Sequence, residues 1–216
     1  MKKVLWLLVV CLLLQVNAMV LPVFAKGSEV GENLLVNPSF EELEGGIPKP
    51  WEVMGGWENN FEIDISTDTA RTGNNSIFMK TEKSASPWIR KKAYVEEGAV
   101  YESSAWIKSD NLQGRGIITK IEFYKEDGGW VSGHESEKFN RMTGDWQQIK
   151  FEIEAPKGAR IAQVYYRLYH ATGEAYFDDV SFIKVKDRPQ VVLKTDQIFY
   201  YTDITEGLVQ AEIHLE

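Results

Sequence analysis

The chain has 216 residues, 32 acidic against 24 basic for a formal net charge of −8, with 44% hydrophobic content and a single cysteine. That is short of two full-sized domains and too apolar for a disordered chain, and the acidic balance argues against nucleic acid, whose phosphates are bound mainly by Lys and Arg. The feature that needs explaining is the aromatic share, seven Trp, nine Tyr and ten Phe.

Met1-Lys2-Lys3 is a positively charged start, residues 4–14 form an unbroken apolar run, and Val23-Phe24-Ala25 offers a cleavage site ahead of Lys26, with a second option after Ala18. This reads as a secretory signal peptide over 1–25. The other reading is an uncleaved anchor helix, against which Gln15 and Asn17 interrupt the run short of the ~20 residues a span needs. Cleavage removes Cys11, so the exported chain has no disulfide and no stable membrane insertion. Its stability must come from a core, or from a core and a metal.

From 32 to about 186, apolar and polar residues alternate in short runs broken by Gly, Asn, Asp and Pro, and no stretch keeps a 3.6-residue period. The pattern predicts strands at 33–36, 61–65, 76–80, 88–94, 100–109, 117–124, 147–154, 161–169 and 175–185, with turns at 72–75, 96–98, 126–129 and 155–158. The expected fold is all-β, a two-sheet sandwich or jelly roll over 26–186. After Asp187-Arg188-Pro189 the alternation restarts. Residues 187–216 are expected to be a linker and the opening strands of a truncated second, immunoglobulin-like β domain; the alternative is an extension packed on the first domain.

Strand periodicity separates core residues from displayed ones. Along 100–108 the core set is Tyr101, Ser103, Ala105 and Ile107, leaving Glu102, Ser104, Trp106 and Lys108 outside. Along 117–124 it is Ile117, Thr119, Ile121 and Phe123, with Lys120, Glu122 and Tyr124 outside. Along 161–170 it is Ala162, Val164, Tyr166 and Leu168, with Gln163, Tyr165, Arg167 and Tyr169 outside. The three strands are expected to join these displayed residues into one face. Aromatic rings beside planar amide, carboxylate and guanidinium groups suit a poly- or oligosaccharide, whose C–H faces stack and whose hydroxyls pair. The competing reading is that these aromatics are covered by loops or simply favour strands.

Two segments carry a resemblance. Asn33-Leu34-Leu35-Val36-Asn37-Pro38-Ser39-Phe40-Glu41, followed by Pro50-Trp51, resembles the opening strand of secreted carbohydrate-binding modules of families four, nine and twenty-two. Tyr176-Phe177-Asp178-Asp179-Val180-Ser181-Phe182 resembles their closing strand, and Ala70 to Ser76 and Asp145-Trp146-Gln147-Gln148 fall in order between them. The resemblance covers about 32–186. It implies a non-catalytic jelly roll of the galactose-binding type, commonly joined covalently to a glycan-degrading enzyme. It also implies a structural Ca2+ held by the carboxylates of Glu41 and Asp178 and by backbone carbonyls near Ser39 and Gly73, a hard-oxygen set that calcium accepts. The competing reading makes Asp178 and Asp179 ordinary edge carboxylates, which would leave Asp178, placed by alternation on the same face as Val180 and Phe182, a buried unpaired charge. In such modules sugar lies across the concave sheet or at the loops of the rim. For the sheet the candidates are Gln163, Tyr165, Arg167, Tyr169, Glu122, Tyr124 and Trp106, and for exposed loops Trp57, Trp88 and Trp130, while Trp51 and Trp146 are expected in the scaffold.

Catalysis has weaker support. Phe61-Glu62-Ile63-Asp64-Ile65-Ser66 resembles the Glu-x-Asp-x-Glu strand of retaining jelly-roll glucanases, but Ser66 stands where the third carboxylate is needed. His134, His170 and His214 have no ligand spacing, and neither a Gly-x-Ser-x-Gly elbow nor a phosphate-cradling glycine loop occurs. A structural or adhesion β-sandwich that binds a protein or a neighbouring domain is the alternative to glycan binding.

Overall fold

The structure, a computed structural model, describes residues 28–54, 60–195 and 209–214. The candidate leader over 1–25 and Trp57 lie outside the described residues. Fourteen strands are described, and no helix occurs among the described residues. They are β1 (Leu43–Glu44), β2 (Ile47–Pro48), β3 (Glu52–Met54), β4 (Phe61–Ser66), β5 (Ser76–Ala85), β6 (Trp88–Tyr94) and β7 (Val100–Gly114). The rest are β8 (Ile117–Tyr124), β9 (Trp130–Glu135), β10 (Gln147–Glu154), β11 (Ile161–Leu168), β12 (Ala171–Lys186), β13 (Gln190–Thr195) and β14 (Val209–His214).

Two five-stranded antiparallel sheets carry the fold. One has the order β10-β7-β12-β5-β4 and the other β3-β6-β11-β8-β9. The residues whose alternation predicted an inward face are inward: Ala162, Val164, Tyr166 and Leu168 of β11, and Ile117, Thr119, Ile121 and Phe123 of β8, are all fully buried. Removing such side chains from water contributes about 1.5–3 kcal/mol each, and this drives the two sheets together. Tyr101 of β7 stacks on Phe182 of β12 with ring centroids 5.0 Å apart. Polar groups inside the core are paired across it, Ser103 with Thr119 at 2.9 Å and the Tyr166 hydroxyl donating to the Ser181 carbonyl at 2.8 Å. Each bond joins one sheet to the other.

The segment 33–36, expected as a strand, makes only a single bridge, Asn33 to Ile183. Its side chain does the rest: Asn33 accepts from the Phe182 N–H at 3.0 Å and donates to the Val180 carbonyl at 3.1 Å. With the Leu34 N–H donating to the Phe182 carbonyl and Gly31 N–H to that of Lys184, the start of the sandwich is laced to its last strand. Of the scaffold tryptophans, Trp51 is buried and packs edge-on to Phe40 at 5.2 Å. Trp146 is half-buried and outside the core cluster, because it precedes the edge strand β10 rather than crossing the interior. Beyond the sandwich, β13 and β14 pair with each other in antiparallel register from Gln190↔His214 to Thr195↔Val209, as a separate two-stranded sheet.

Candidate functional site

The residues displayed by β8 and β11 do share a face, on the outside of the β3-β6-β11-β8-β9 sheet, because Gln163 stands opposite Glu122 and Tyr165 opposite Lys120. β6 completes it, placing Arg90 beside Tyr165 and Trp88 beside Arg167. Trp106 does not join them. β7 belongs to the other sheet, so Trp106 points away from the opposite side of the sandwich, where the Arg71 guanidinium lies 3.8 Å from its ring centroid. Alternation shows which side of a strand is outward, but not which sheet the strand enters.

At the centre of this face the Tyr165 side chain is only 7% exposed, so its ring is a floor rather than a free-standing platform. Its hydroxyl donates to Glu122 Oε2 at 2.8 Å and accepts from Arg90 at 3.2 Å. Arg90 also donates to Gln163 Oε1 at 2.8 Å and, through Nε, to Glu52 at 2.9 Å. Tyr124 donates to Glu122 Oε2 at 2.8 Å, and the Lys120 ammonium lies 2.7 Å from Glu122 Oε1. Burial works against the ionised form of Glu122, but Lys120 and the two phenols outweigh it and hold the carboxyl below its usual range. Burial likewise pushes the Tyr165 phenol up. The result is a fixed array of planar donors and acceptors, which cost little reorganisation when they meet a ligand.

Aromatic walls stand at both ends of this floor. At one end, Trp88 meets Tyr165 edge-on at 5.3 Å, with Arg90 5.0 Å from the Trp88 ring, and Tyr169 follows β11. At the other end the register aligns Tyr94, Ile161, Tyr124 and Trp130 in one row across four strands. Trp130 is 63% exposed and Tyr94 81%. Trp88 and Trp130 were expected in loops but open the strands β6 and β9. Tyr94 and Arg90 are site residues the sequence reading missed, and Lys120, which it placed on the displayed face, was not among its candidates. The signal for Tyr94 and Arg90 was present, since they alternate with the buried Ile89 and Ala93 in a strand already assigned. The two ends lie about 20 Å apart, six residues along β11.

The proposed metal ligands converge on one loop. Asp178 is 0% exposed, and its carboxylate accepts three backbone N–H groups, from Arg71 at 2.7 Å, Thr72 at 3.1 Å and Asp179 at 2.7 Å. Glu41 accepts from the next N–H groups of the same loop, Asn74 at 3.0 Å and Asn75 at 2.9 Å. Gly73 has φ +62°, and a Cβ there would meet Glu41 Oε1 at 2.4 Å. Ser39 Oγ donates to Asp179 at 2.6 Å. Arg71 pairs with Asp179, not with Asp178. Asp178 does not share a face with Val180 and Phe182, as plain alternation had it. A bulge between Asp178 and Ser181 adds one residue, so Asp178 stands opposite Trp106 on the outer side and is buried by the 71–72 loop. Burial pushes its carboxyl above the usual range. Among the described residues no ammonium or guanidinium lies within ion-pair distance of Asp178. Nor do three or more His, Cys, Asp or Glu side chains there gather into a metal-holding group. Glu41 and Asp178 are oxygen donors of the kind calcium accepts, but the closest contacts they make here are with backbone N–H groups.

Glu62 and Asp64, the glucanase-like pair, are exposed on the edge strand β4, with Glu62 opposite Lys80. A groove of about 430 Å3 lined by Asn60, Phe61, Glu62, Lys80, Glu82 and Lys83 lies at that edge, in the sheet opposite the polar floor.

No protein-family model and no curated protein matches the chain. Solved structures do. The CBM22-1 xylan-binding domain of Paenibacillus barcinonensis Xyn10C superposes with a TM-score of 0.55 at 18% identity, over 74% of this chain and 99% of that one. The chain has the jelly-roll fold of carbohydrate-binding modules. The same fold is found within the enzymatically active domain of tailspike protein 4 of bacteriophage CBA120, with a TM-score of 0.57 at 13% identity over 70% of this chain. There it spans about a fifth of the neighbour's length (21%). The Clostridium thermocellum xylanase 10B fragment with its CBM22-1 and GH10 modules gives 0.51 at 18% identity, over 72% of this chain and 29% of that one. At these identities the likeness extends to the fold alone.

Proposed function

We propose that residues 26–186 form a secreted, non-catalytic module that binds a poly- or oligosaccharide across the outer face of the β3-β6-β11-β8-β9 sheet. The observation that carries this reading is the floor of interlocked Arg90, Gln163, Tyr165 and Glu122 between aromatic walls at Trp88 and at Tyr94, Tyr124 and Trp130. Fixed polar groups flanked by rings are what a sugar with hydroxyls on its rim and C–H groups on its faces requires. The fold neighbours support the reading by name: one is xylan-binding, and one is joined to a GH10 module. Attachment to a glycoside hydrolase belongs to the same proposal, with β13 and β14 as part of a following β unit. The test is isothermal titration of the whole chain against a panel of soluble β-glucans, xylans, mannans and uronic-acid polysaccharides. Trp88→Ala is expected to weaken the best ligand about tenfold or more, losing a stacking contact of roughly 1–2 kcal/mol. Silence across the whole panel would sink the proposal.

Calcium at Glu41 and Asp178 is the second part. A fully buried carboxylate without a cationic side chain is costly, and a bound cation that also tied the 70–75 loop to β12 would offset that cost. Chelation is then expected to lower the thermal midpoint of the native chain and to leave that of Asp178→Asn unchanged. A midpoint indifferent to chelator and to added calcium would remove the metal from the account.

A further inference from the structure

We propose that the glycan carries a carboxylate, a uronic acid unit, taken up where Arg115 and Arg167 converge on the ring of Tyr169 at the Trp88 end of the sheet. This rests on the sugar-binding reading above and narrows its ligand class.

Two guanidiniums approach one phenol ring here, that of Arg115 at 5.4 Å and that of Arg167 at 5.2 Å from the centroid of Tyr169. Arg115 also donates to the Tyr169 hydroxyl at 3.3 Å. Among the described residues no carboxylate lies within ion-pair distance of either. Two other cations on the same face are matched, Arg90 by Glu52 and Lys120 by Glu122, whereas no carboxylate among the described residues pairs with the exposed Lys92 of β6, opposite Gln163. Arg167 is half-buried and donates only to the main-chain oxygens of Leu168 and Ser86, both at 3.3 Å, which leaves most of its five N–H groups free. Burial pulls this guanidinium below its usual range, and the carboxylates of Glu135 and Glu122 act on it only from a distance.

A half-buried guanidinium without an anion is a cost carried by the free protein. A ligand carboxylate would relieve it with two parallel N–H···O bonds, the planar pairing to which guanidinium is suited. Tyr169 and Trp88, which stands beside Arg167 in register, offer ring surface to the pyranose that carries the acid. The opposite end of the sheet, with Tyr94, Tyr124 and Trp130, has aromatic surface and no such pair of unmatched arginines. Because the chain is acidic overall, at −8, a polyanion gains nothing from long-range attraction. Recognition has to come from this local pair.

The test is isothermal titration of the whole chain with galacturonate, glucuronate and mannuronate oligosaccharides. Controls are the same oligosaccharides with carboxyls reduced to alcohols, neutral xylo- and gluco-oligosaccharides, and sulfated oligosaccharides. A uronate ligand is expected to bind, and its reduced counterpart to bind about tenfold or more weakly, the loss of one charge-assisted pair. Arg115→Gln is expected to lose about as much for the uronate while keeping the thermal midpoint, and Arg115→Lys to fall between. Equal binding of acid and reduced ligand, an unaffected Arg115→Gln, or binding of sulfated or neutral sugars alone overturns the inference but leaves glycan binding in place. Failure of every sugar overturns both.

Discussion

Glu122 takes three contacts at once, from the Lys120 ammonium and from the hydroxyls of Tyr124 and Tyr165. It is therefore the residue through which acid should first loosen the floor. Its folded pKa is depressed. The stabilisation it gives is thus fully present above the ordinary glutamate value, about 4.3, and is lost as pH falls through the lower folded value. Asp179, also held low once Ser39, Thr72 and Arg71 overcome its burial, acts in the same direction, whereas Asp178, pushed up by burial, acts in the opposite one. The contribution of Glu122 is isolated by comparing native protein with Glu122→Gln in thermal melts from pH 7 to pH 3. The gap between the two midpoints is expected to hold steady down to about pH 4 and to close below it. A gap that widens on acidification would contradict the network.

At the scale of elements, β12 does the most to organise the molecule, because it pairs with β7 on one side and β5 on the other through sixteen residues. It meets both partners only by slipping register. One slip lies at Gly173, with φ +113°, where an added Cβ would come within 2.6 Å of the Asn111 carbonyl. A second, after Asp178, moves that carboxylate outward under the 71–72 loop, and a third falls between Lys184 and Lys186. Gly173→Ala must therefore force both a strained backbone and a backbone clash. A loss of about 2 kcal/mol or more is expected in urea denaturation, while Gly128→Ala, in an exposed turn with open space around it, is expected to cost less. Equal effects would mean that the bulge at Gly173 yields easily.

For the molecule as a whole, a large part of the sandwich was legible because burial in a two-layer fold imprints a period of two. The ranges 88–94, 117–124 and 147–154 coincide with β6, β8 and β10. What could not be read was pairing over long sequence distance. Trp106 was grouped with Glu122 and Tyr165 although β7 enters the other sheet, and the short β3 and edge strand β9 carry too little alternation to announce themselves. One extra residue after Asp178 reversed the inferred face of the calcium candidate. Three of the four residues of the polar floor, Glu122, Gln163 and Tyr165, were visible from β8 and β11, whereas Arg90, and Tyr94 of the aromatic wall, joined them only when β6 was placed beside β11. The lacing of the opening segment to β12 has its own consequence. Gly31 N–H reaches the Lys184 carbonyl at 3.0 Å, so the polypeptide crosses into and out of the sandwich at nearly one point. Such a unit tolerates rewiring of its order. A circular permutant joining 186 back to 30 through a few glycines, and cut open in the exposed turn between Asp127 and Gly128, is expected to keep the β-rich circular dichroism and the glycan affinity of the native connectivity. Loss of both would show that this proximity of ends is not enough to define a self-contained building block.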